Sequence, residues 1–530
     1  MVEASMKVAS SLFSHVPPLF LELTKVLQGD TDCSTHTLTK YSTDGSPYHV
    51  TPQIVLYPKN ATDIKQSISF AREFGMPITV RGGGTSRTGG ALGEGMVLDL
   101  SRYFTHIRQI NMMEHTITVD AGVTIKALRE KLHGWHVDIP ILTADNENAT
   151  LGGLVATRSA TPSTFHHGTI RDWVEALTVV VDTGEEHRIA DGITPSGRLL
   201  GIYQSVFPIL SRNSPILRAQ KRAESDDATG YFLWNTTIGP RQLLDELVGS
   251  EGTLGVITSV TLRLAPFKPH YITTCIPITE TALLTSCITI AKHHGADHIF
   301  LYDSTFRELA KKHHAGILPS LEKTPYVLLV THHDTDKERL HVRARTFLRA
   351  LPIPSEKTIQ IENAEFIDRI TSPSFLISLF DAYTNKKQLP VTTGDGIIVP
   401  LHNYGAFLHE IDTLLSPREK PYSITGNAGS GHLAVTTLFD QTSSSYDKEL
   451  REYNETIFTC VKKYKGGISA VGGDGLTRTP YLSFVYNEQM LDIFKQIKEA
   501  WDPKMILNPN KKIATTTQYL HEHLYREIPT

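Results

Sequence analysis

The sequence predicts an α+β protein built from two large units. Three observations predict it. A strand, a helix and a second strand at residues 54–80 run into a glycine loop. Two more glycine-rich elements follow at residues 148–160 and 248–262. From about residue 270 the texture changes, and long apolar strands begin to alternate with helices.

The first 27 residues, "MVEASMKVASSLFSHVPPLFLELTKVL", are broken by Glu3, Lys7, His15 and a Pro-Pro pair. They lack the charge order and apolar core of a signal peptide, and they read as one or two short amphipathic helices docked on the body. "IVLYP" is a β-branched and aromatic strand closed by Pro58. "NATDIKQSISFAREFG" is a helix: Asn60 or Thr62 caps it, Ile64, Ile68 and Phe74 share a stripe, and Gly75 ends it. "MPITV" is the next strand and leads into Arg81 and the glycines. That loop stands at a strand's C-terminal end, where open α/β sheets bind ligands. "GMVLDLS" and "TITVDAGV" read as a hairpin pair of strands, and "TIKALREKLHGW" as a capped helix ending near Gly134. "ALTVVVDTGEEHRI" is a hairpin turning at Thr-Gly, and "GVITSVTLRLAP" is a strand stopped by Pro266. In the second unit "YITTCIPI", "HIFLYDS" and "YVLLVTHH" are strands, while "TALLTSCITIAKHHG" and "KERLHVRARTFLRAL" are helices. "IKEAWDPKMILNPNKKI" is a helix followed by a proline-punctuated segment.

Bulk properties narrow the function. With 530 residues, 40% hydrophobic and 20% charged, the composition is that of a soluble globular protein. A net charge of -4 argues against a nucleic-acid binder. Cys33, Cys275, Cys287 and Cys460 are too dispersed for a zinc or iron–sulfur site and read as free thiols in a reducing compartment. No run of apolar residues is long enough to cross a bilayer. A cytoplasmic location is expected, with peripheral membrane contact left open.

"RGGGTSRTGG" at 81–90 frees backbone N–H groups to face an anion, with Thr85 and Ser86 adding hydroxyl donors. A pyrophosphate is the natural guest; the plainer alternative is a tight turn. The second element, "NATLGGLVATRSA", carries Gly152 and Gly153, and the third is "VGSEGTLGVITSVTL". Three such elements in one α/β region suit a long ligand clasped from several sides, a dinucleotide more than a mononucleotide.

Taken together, "RGGGTSRTGGAL", "TLGGLVAT", "VGSEGTLGVIT" and "DPKMILNPNKK" resemble the flavin-binding oxidoreductases of the vanillyl-alcohol-oxidase, or PCMH, type. Within that family the chain is similar to the D-lactate dehydrogenase and glycolate oxidase subunit branch, which carries an FAD-linked oxidase C-terminal domain. "YSTDGSPY", "DATGYFLWNT" and "GDGLTRTPYL" fall at matching places, so the resemblance spans about residues 35–515. It implies a helical segment at 1–34, a two-subdomain FAD-binding domain at 35–268, a substrate cap at 269–500 and a tail at 501–530 returning to the FAD domain. It also implies that Arg81, Gly82, Gly83, Gly84, Thr85 and Ser86 hold the pyrophosphate, and that Thr150, Gly152 and Gly153 line the second phosphate and ribityl wall. Glu251, Gly252 and Ile257 would face the adenine and isoalloxazine side, and Asn508 would stand near the flavin ring. Relatives with covalent flavin use His or Cys in the first loop; Thr85 and Ser86 occupy that neighbourhood here, so non-covalent FAD is expected. Ala160-Thr161 and His167-Gly168 depart from the family's Gly-Gly and Tyr-Gly.

The cap departs further. In the family, GHxGDGNxH and SxxEHxxG supply two His and a Glu for a divalent metal, and a His beside that Glu as base. Here "GNAGSGHLA" and "SAVGGDG" put Asn427, Ala434 and Val471 at the ligand positions and Gly472 at the base. Ser430 and His432 replace the Asp and Asn between the histidines. The family metal site is therefore expected to be absent. His432 is the candidate base and Arg478 the candidate carboxylate grip; a hydrogen-bonded loop histidine and a structural ion pair are the alternatives. Lys386 and Lys387 would add positive charge or lie in a solvated loop, and His166 and His167 are placed near the flavin wall.

The resemblance implies an FAD-dependent dehydrogenase of a D-2-hydroxy acid such as D-lactate, passing electrons to a quinone, cytochrome or flavoprotein. The altered cap motivates two alternatives: a changed alcohol or sugar substrate, or a flavin-binding protein without turnover.

Overall fold

The computed structural model describes residues 17–526 apart from 143–147, 222–226, 235–238, 314–323, 363–369, 371–374, 376–377, 381–387, 392–395 and 419. The described strands form three main sheets. The first orders Asp30–Asp32, Ile54–Tyr57, Met96–Asp99 and Ile78–Arg81. Its last three strands run parallel, and Asp30–Asp32 adds antiparallel at the edge. The crossover helix Ala61–Phe74 has the expected ends: the Asn60 side chain accepts from the Asp63 N–H, and Gly75 closes it in the left-handed region. Ile64, Ile68 and Ala71 bury its inner face against the sheet, and Phe20 of the N-terminal helical turn packs on Phe70 with the rings tilted.

The second sheet is antiparallel and orders Ile107–Asn111, Thr116–Asp120, Val256–Arg263, Val174–Val180 and Glu186–Ala190. The hairpin expected between "GMVLDLS" and "TITVDAGV" does not form. Met96–Asp99 is buried along its whole length between two parallel neighbours, whereas Thr116–Asp120 hairpins with Ile107–Asn111. The true partner, "IRQIN", was hidden because it is a half-exposed strand with no alternation to mark it. The Val174–Glu186 hairpin forms as read, with Gly184 in the left-handed turn position.

The cap is an antiparallel sheet ordered Ile359–Ile361, His270–Ile278, Tyr326–Asp334, His298–Asp303, Tyr422–Gly426, His432–Asp440 and Gln388–Val391. Helices Ala282–His293, Lys337–Ala350, Tyr404–Leu415 and Tyr446–Lys463 pack on it. The four cysteines are free thiols. Among the described residues, no helix is long and apolar enough to cross a membrane.

The chain returns to the antiparallel sheet at helix Glu488–Trp501. Met490, Ile493, Phe494, Ile497 and Trp501 pack among the apolar side chains of the antiparallel sheet. The following segment then runs beside the edge strand of the parallel sheet: Ile78 N–H donates to Ile506 O, and Asn508 N–H to Ile78 O. Trp501 Nε1 donates to Glu246, which is fully buried and also receives Gln242 Nε2. Burial pushes the Glu246 carboxyl up to about 7. The folded state therefore keeps a proton that the unfolded carboxyl, near 4.5, has lost. Stability falls as pH rises from about 4.5 to 7, by on the order of 3 kcal/mol, and is flat above. Glu246→Gln keeps an acceptor for Trp501 and should raise the Tm at pH 8 above wild type while leaving it near wild type at pH 5. Thermal melts at the two pH values check this.

Candidate functional site

The parallel sheet ends in the loop that follows Arg81. Its glycines permit a close approach, and the nearest neighbour is the chain's own second glycine element. A Cβ on Gly82 would stand 2.0 Å from Thr150 Oγ1, and one on Gly83 would stand 1.8 Å from Asn148 O. Gly84 adopts φ +66, and a Cβ there would strike the Arg81 guanidinium. Arg81 is itself structural. It donates to the carbonyls of Tyr41, Thr43 and Ala91 and lies over the Tyr41 ring, and burial lowers its pKa. Ser86 Oγ accepts from the N–H groups of Thr88 and Gly90, which curls the loop back on itself.

The second element begins helix Leu151–Ala156, capped by Thr150, whose hydroxyl accepts from Gly153 N–H. Gly152 lies against Ala121, just after strand Thr116–Asp120 of the antiparallel sheet; a Cβ would come within 2.7 Å of Ala121 Cβ. The third element turns at Gly249, Glu251 and Gly252, all at positive φ. A glutamate held in the left-handed region is uncommon and is sustained by its surroundings. Glu251 N–H donates to Ala156 O, and its carboxylate accepts from the N–H groups of Asp474 and Gly475 in the cap.

These three elements and one cap loop enclose a cavity of about 250 Å3. Arg81, Gly82, Gly83, Gly84, Thr85, Ser86, Thr150, Gly152, Gly153, Glu251, Gly252 and Ile257 all line it, joined by Val471, Gly472 and Arg478 from the cap. Leu100, Ile125, Ile141 and Leu154 give it an apolar wall. Asn508 is not part of the lining. It is a buried bolt behind it: Nδ2 donates to Gly90 O and Glu251 O, and Oδ1 accepts from Thr79 Oγ1.

Beneath the cavity lies a charged node that sequence reading missed. Lys512 Nζ is 3.1 Å from Glu251 Oε1 and 2.9 Å from Asp474 Oδ2, all three side chains being buried. The same ammonium donates to the carbonyls of Ala228 and Gly230. It thus ties the third glycine element, the cap loop, the tail and the "DATGY" segment together. Burial pushes the Glu251 carboxyl up, while the cationic Lys512 beside it pulls the other way. The only sequence signal was that "DATGYFLWNT", "GDG" and "NPNKK" all fell at family positions, without indicating that they meet.

Arg478 is buried, and its guanidinium donates to Ser469 Oγ and to the carbonyls of Val471 and Gly473. It shapes the cap loop and reaches the cavity. His432 does not reach it. It starts strand His432–Asp440, is buried, pairs with Ile398, and its carbonyl accepts from Tyr404 Oη. Asn427 and Ala434 belong to the same hairpin, and Val471 and Gly472 face the cavity. His166 and His167 are also outside the lining and face the cap instead. Lys386 and Lys387 lie outside the described residues.

A two-sheet domain whose glycine elements meet at one cavity, roofed by a cap loop, is the architecture of a flavoprotein oxidoreductase. Residues 52–190 match the model for an FAD binding domain, and residues 279–512 match that for the FAD linked oxidases, C-terminal domain. The chain is 25% identical over 517 residues to the D-2-hydroxyglutarate dehydrogenase of Stutzerimonas stutzeri (strain A1501), covering 94% of this chain and 99% of that one. It is 25% identical over 485 residues to the D-lactate dehydrogenase of Archaeoglobus fulgidus, covering 89% and 95%. The fold is similar to that of the 4-ethylphenol oxidase from Gulosibacter chungangensis, with a TM-score of 0.69, 14% identity and coverage of 94% and 97%.

The chain belongs to the PCMH-type family of FAD-linked oxidases, and FAD is its cofactor. The lining fits that group: glycine backbone without side chains for a pyrophosphate, hydroxyls at Thr85 and Ser86, and an apolar wall for a ring system.

Proposed function

We propose that the protein is a dehydrogenase of a D-2-hydroxy acid that holds FAD non-covalently. One observation carries the reading: Arg478, a buried cation of the cap, lines the same cavity as the three glycine elements. Bound FAD supplies a hydride acceptor. The residues of this chain hold and orient. Gly82–Ser86 would offer amides and hydroxyls to the pyrophosphate, Gly152 and Gly153 would bring bare backbone against the cofactor while their own N–H groups stay bonded to Ala121 O and Thr150 Oγ1, Ile257 would face the ring side, and Arg478 would present positive charge to the substrate carboxylate. Among the described lining residues there is no His or Cys, the side chains that would bond a flavin covalently. Electrons leave to a quinone, cytochrome or flavoprotein acceptor.

Val471 favours a second reading. An apolar side chain lines the cavity where the family places a metal-binding carboxylate, and this suits an alcohol or sugar better than an acid held by metal. Neither reading uses a metal at positions 427, 434 and 471. Anaerobic addition of D-lactate, D-2-hydroxyglutarate or glycolate should bleach the flavin, and Arg478→Met should raise KM at least tenfold, since a charge-assisted pair is worth about 1.5–3 kcal/mol. Bleaching by neutral alcohols or sugars alone would transfer support to the second reading.

A further inference from the structure

The histidine pair that sequence reading placed at the flavin wall instead meets the cap. Helix Thr164–His167 ends at Gly168 with φ +79, and Trp173 Nε1 donates to His167 O, so the pair is anchored through its backbone. The two imidazoles stand edge to face, with ring centroids 4.4 Å apart and planes at 88°. Opposite them lies Asp297, in the turn before strand His298–Asp303 of the cap. This carboxylate is 2% exposed. His333 N–H donates to its Oδ2 at 2.7 Å, which leaves Oδ1 turned toward the imidazoles. Oδ1 is 3.4 Å from His167 Nε2 and 2.8 Å from Lys268 Nζ. One ligand atom from each of His166, His167 and Asp297 lies within 4.8 Å of the others.

We infer that His166, His167 and Asp297 form a binding site for a divalent transition-metal ion such as zinc, clasping the FAD-binding domain to the cap. Two imidazole nitrogens and one carboxylate oxygen are a donor set that Zn2+ accepts in tetrahedral geometry, with water completing it. Tetrahedral ligands at about 2.0–2.1 Å from the ion are separated by roughly 3.3 Å. Closing the present spacing to that value requires a turn of the exposed His166 ring, while the buried Asp297 stays in place. Lys268 is the competitor. Its ammonium occupies the oxygen the ion would take, so it acts as the apo-state counter-ion of Asp297.

The site shares no residue with the cap positions 427, 434 and 471. The neighbouring Phe165 packs on Gly429 of the cap, where a Cβ would come within 2.2 Å of its ring, so helix Thr164–His167 is already seated against the second domain.

Isothermal titration of the chelator-treated, FAD-loaded protein with ZnCl2 tests this. Wild type should take up one Zn2+ per chain at micromolar or tighter affinity, with a rise in Tm. His166→Ala and His167→Ala should each weaken that site at least tenfold while keeping the bound flavin. Lys268→Met should tighten it, by on the order of tenfold, because the competing charge-assisted contact on the Asp297 oxygen, worth about 1.5 kcal/mol, is gone. No uptake by wild type in the micromolar range, or an unchanged site in both histidine variants, would overturn the assignment. So would unchanged affinity in Lys268→Met, because Asp297 would then not be a ligand.

Discussion

Lys512→Met is expected to be the most damaging single substitution in the first domain. It removes the ammonium that contacts both Glu251 and Asp474, and leaves the two buried carboxylates without it. Breaking a buried ion pair from one side costs about 3–5 kcal/mol, chiefly because the remaining charge is stranded. A loss of that size lowers Tm by roughly 10 °C in a domain of this scale. Two further results separate this cause from general misfolding. Stability of the variant should recover as pH falls toward 5. Burial already pushes the Glu251 carboxyl up, and without Lys512 nothing beside it pulls the other way, so protonation favours the folded state and the benefit is lost as pH rises. The double variant Glu251→Gln/Lys512→Met should recover part of the loss, since one stranded charge has gone. Thermal melts at pH 5 and pH 8, with flavin absorbance recorded alongside, measure all three. Flavin retention should fall with stability, because Glu251 and Gly252 line the cavity.

Gly83→Ala is the second large effect, and it acts on the cofactor more than on the fold. The new methyl would meet Asn148 O at 1.8 Å, and a backbone carbonyl cannot swing aside as a flexible side chain can. Overpacking of this kind costs about 1–3 kcal/mol. Relief comes from separating the first and second glycine elements, which lie against each other and line the same cavity. The upper end of that range is roughly a hundredfold in affinity. Gly192→Ala is the matched control. Gly192 has φ +77 and nothing within 4 Å, so alanine there brings backbone strain without a collision. The control should lose about 1 kcal/mol of stability and keep its FAD affinity. Equilibrium dialysis against FAD distinguishes the two variants.

Local signals were legible. Asn60 and Gly75 bound their helix as capping chemistry requires, and the run from Ile78 to Ser86 led directly to the cavity. The glycine elements could be found because close approach leaves a compositional trace. What could not be read was pairing at a distance. Met96–Asp99 and Thr116–Asp120 are consecutive apolar strands, and nothing in either tells it to join a different sheet. The same limit hid the charged node: Glu251, Asp474 and Lys512 are ordinary charged residues in sequence and become a unit only when the tail and cap loop converge. The family resemblance puts Asn508 near the ring, yet both its amide atoms are taken up in holding the wall from behind. His432 sits in a glycine-framed loop motif, but the strand it opens carries it into the cap interior and away from the cavity. In each case the residue type was chemically suggestive, and tertiary placement decided its work.

On this reading the three glycine elements around Gly83, Gly152 and Gly252 form one FAD site. The most direct measurement is the visible absorption spectrum of the purified protein after reconstitution with FAD and removal of the excess. The expected result is a yellow protein with one FAD per chain, released intact into the supernatant on acid precipitation. A colourless protein that retains no flavin after reconstitution would contradict it.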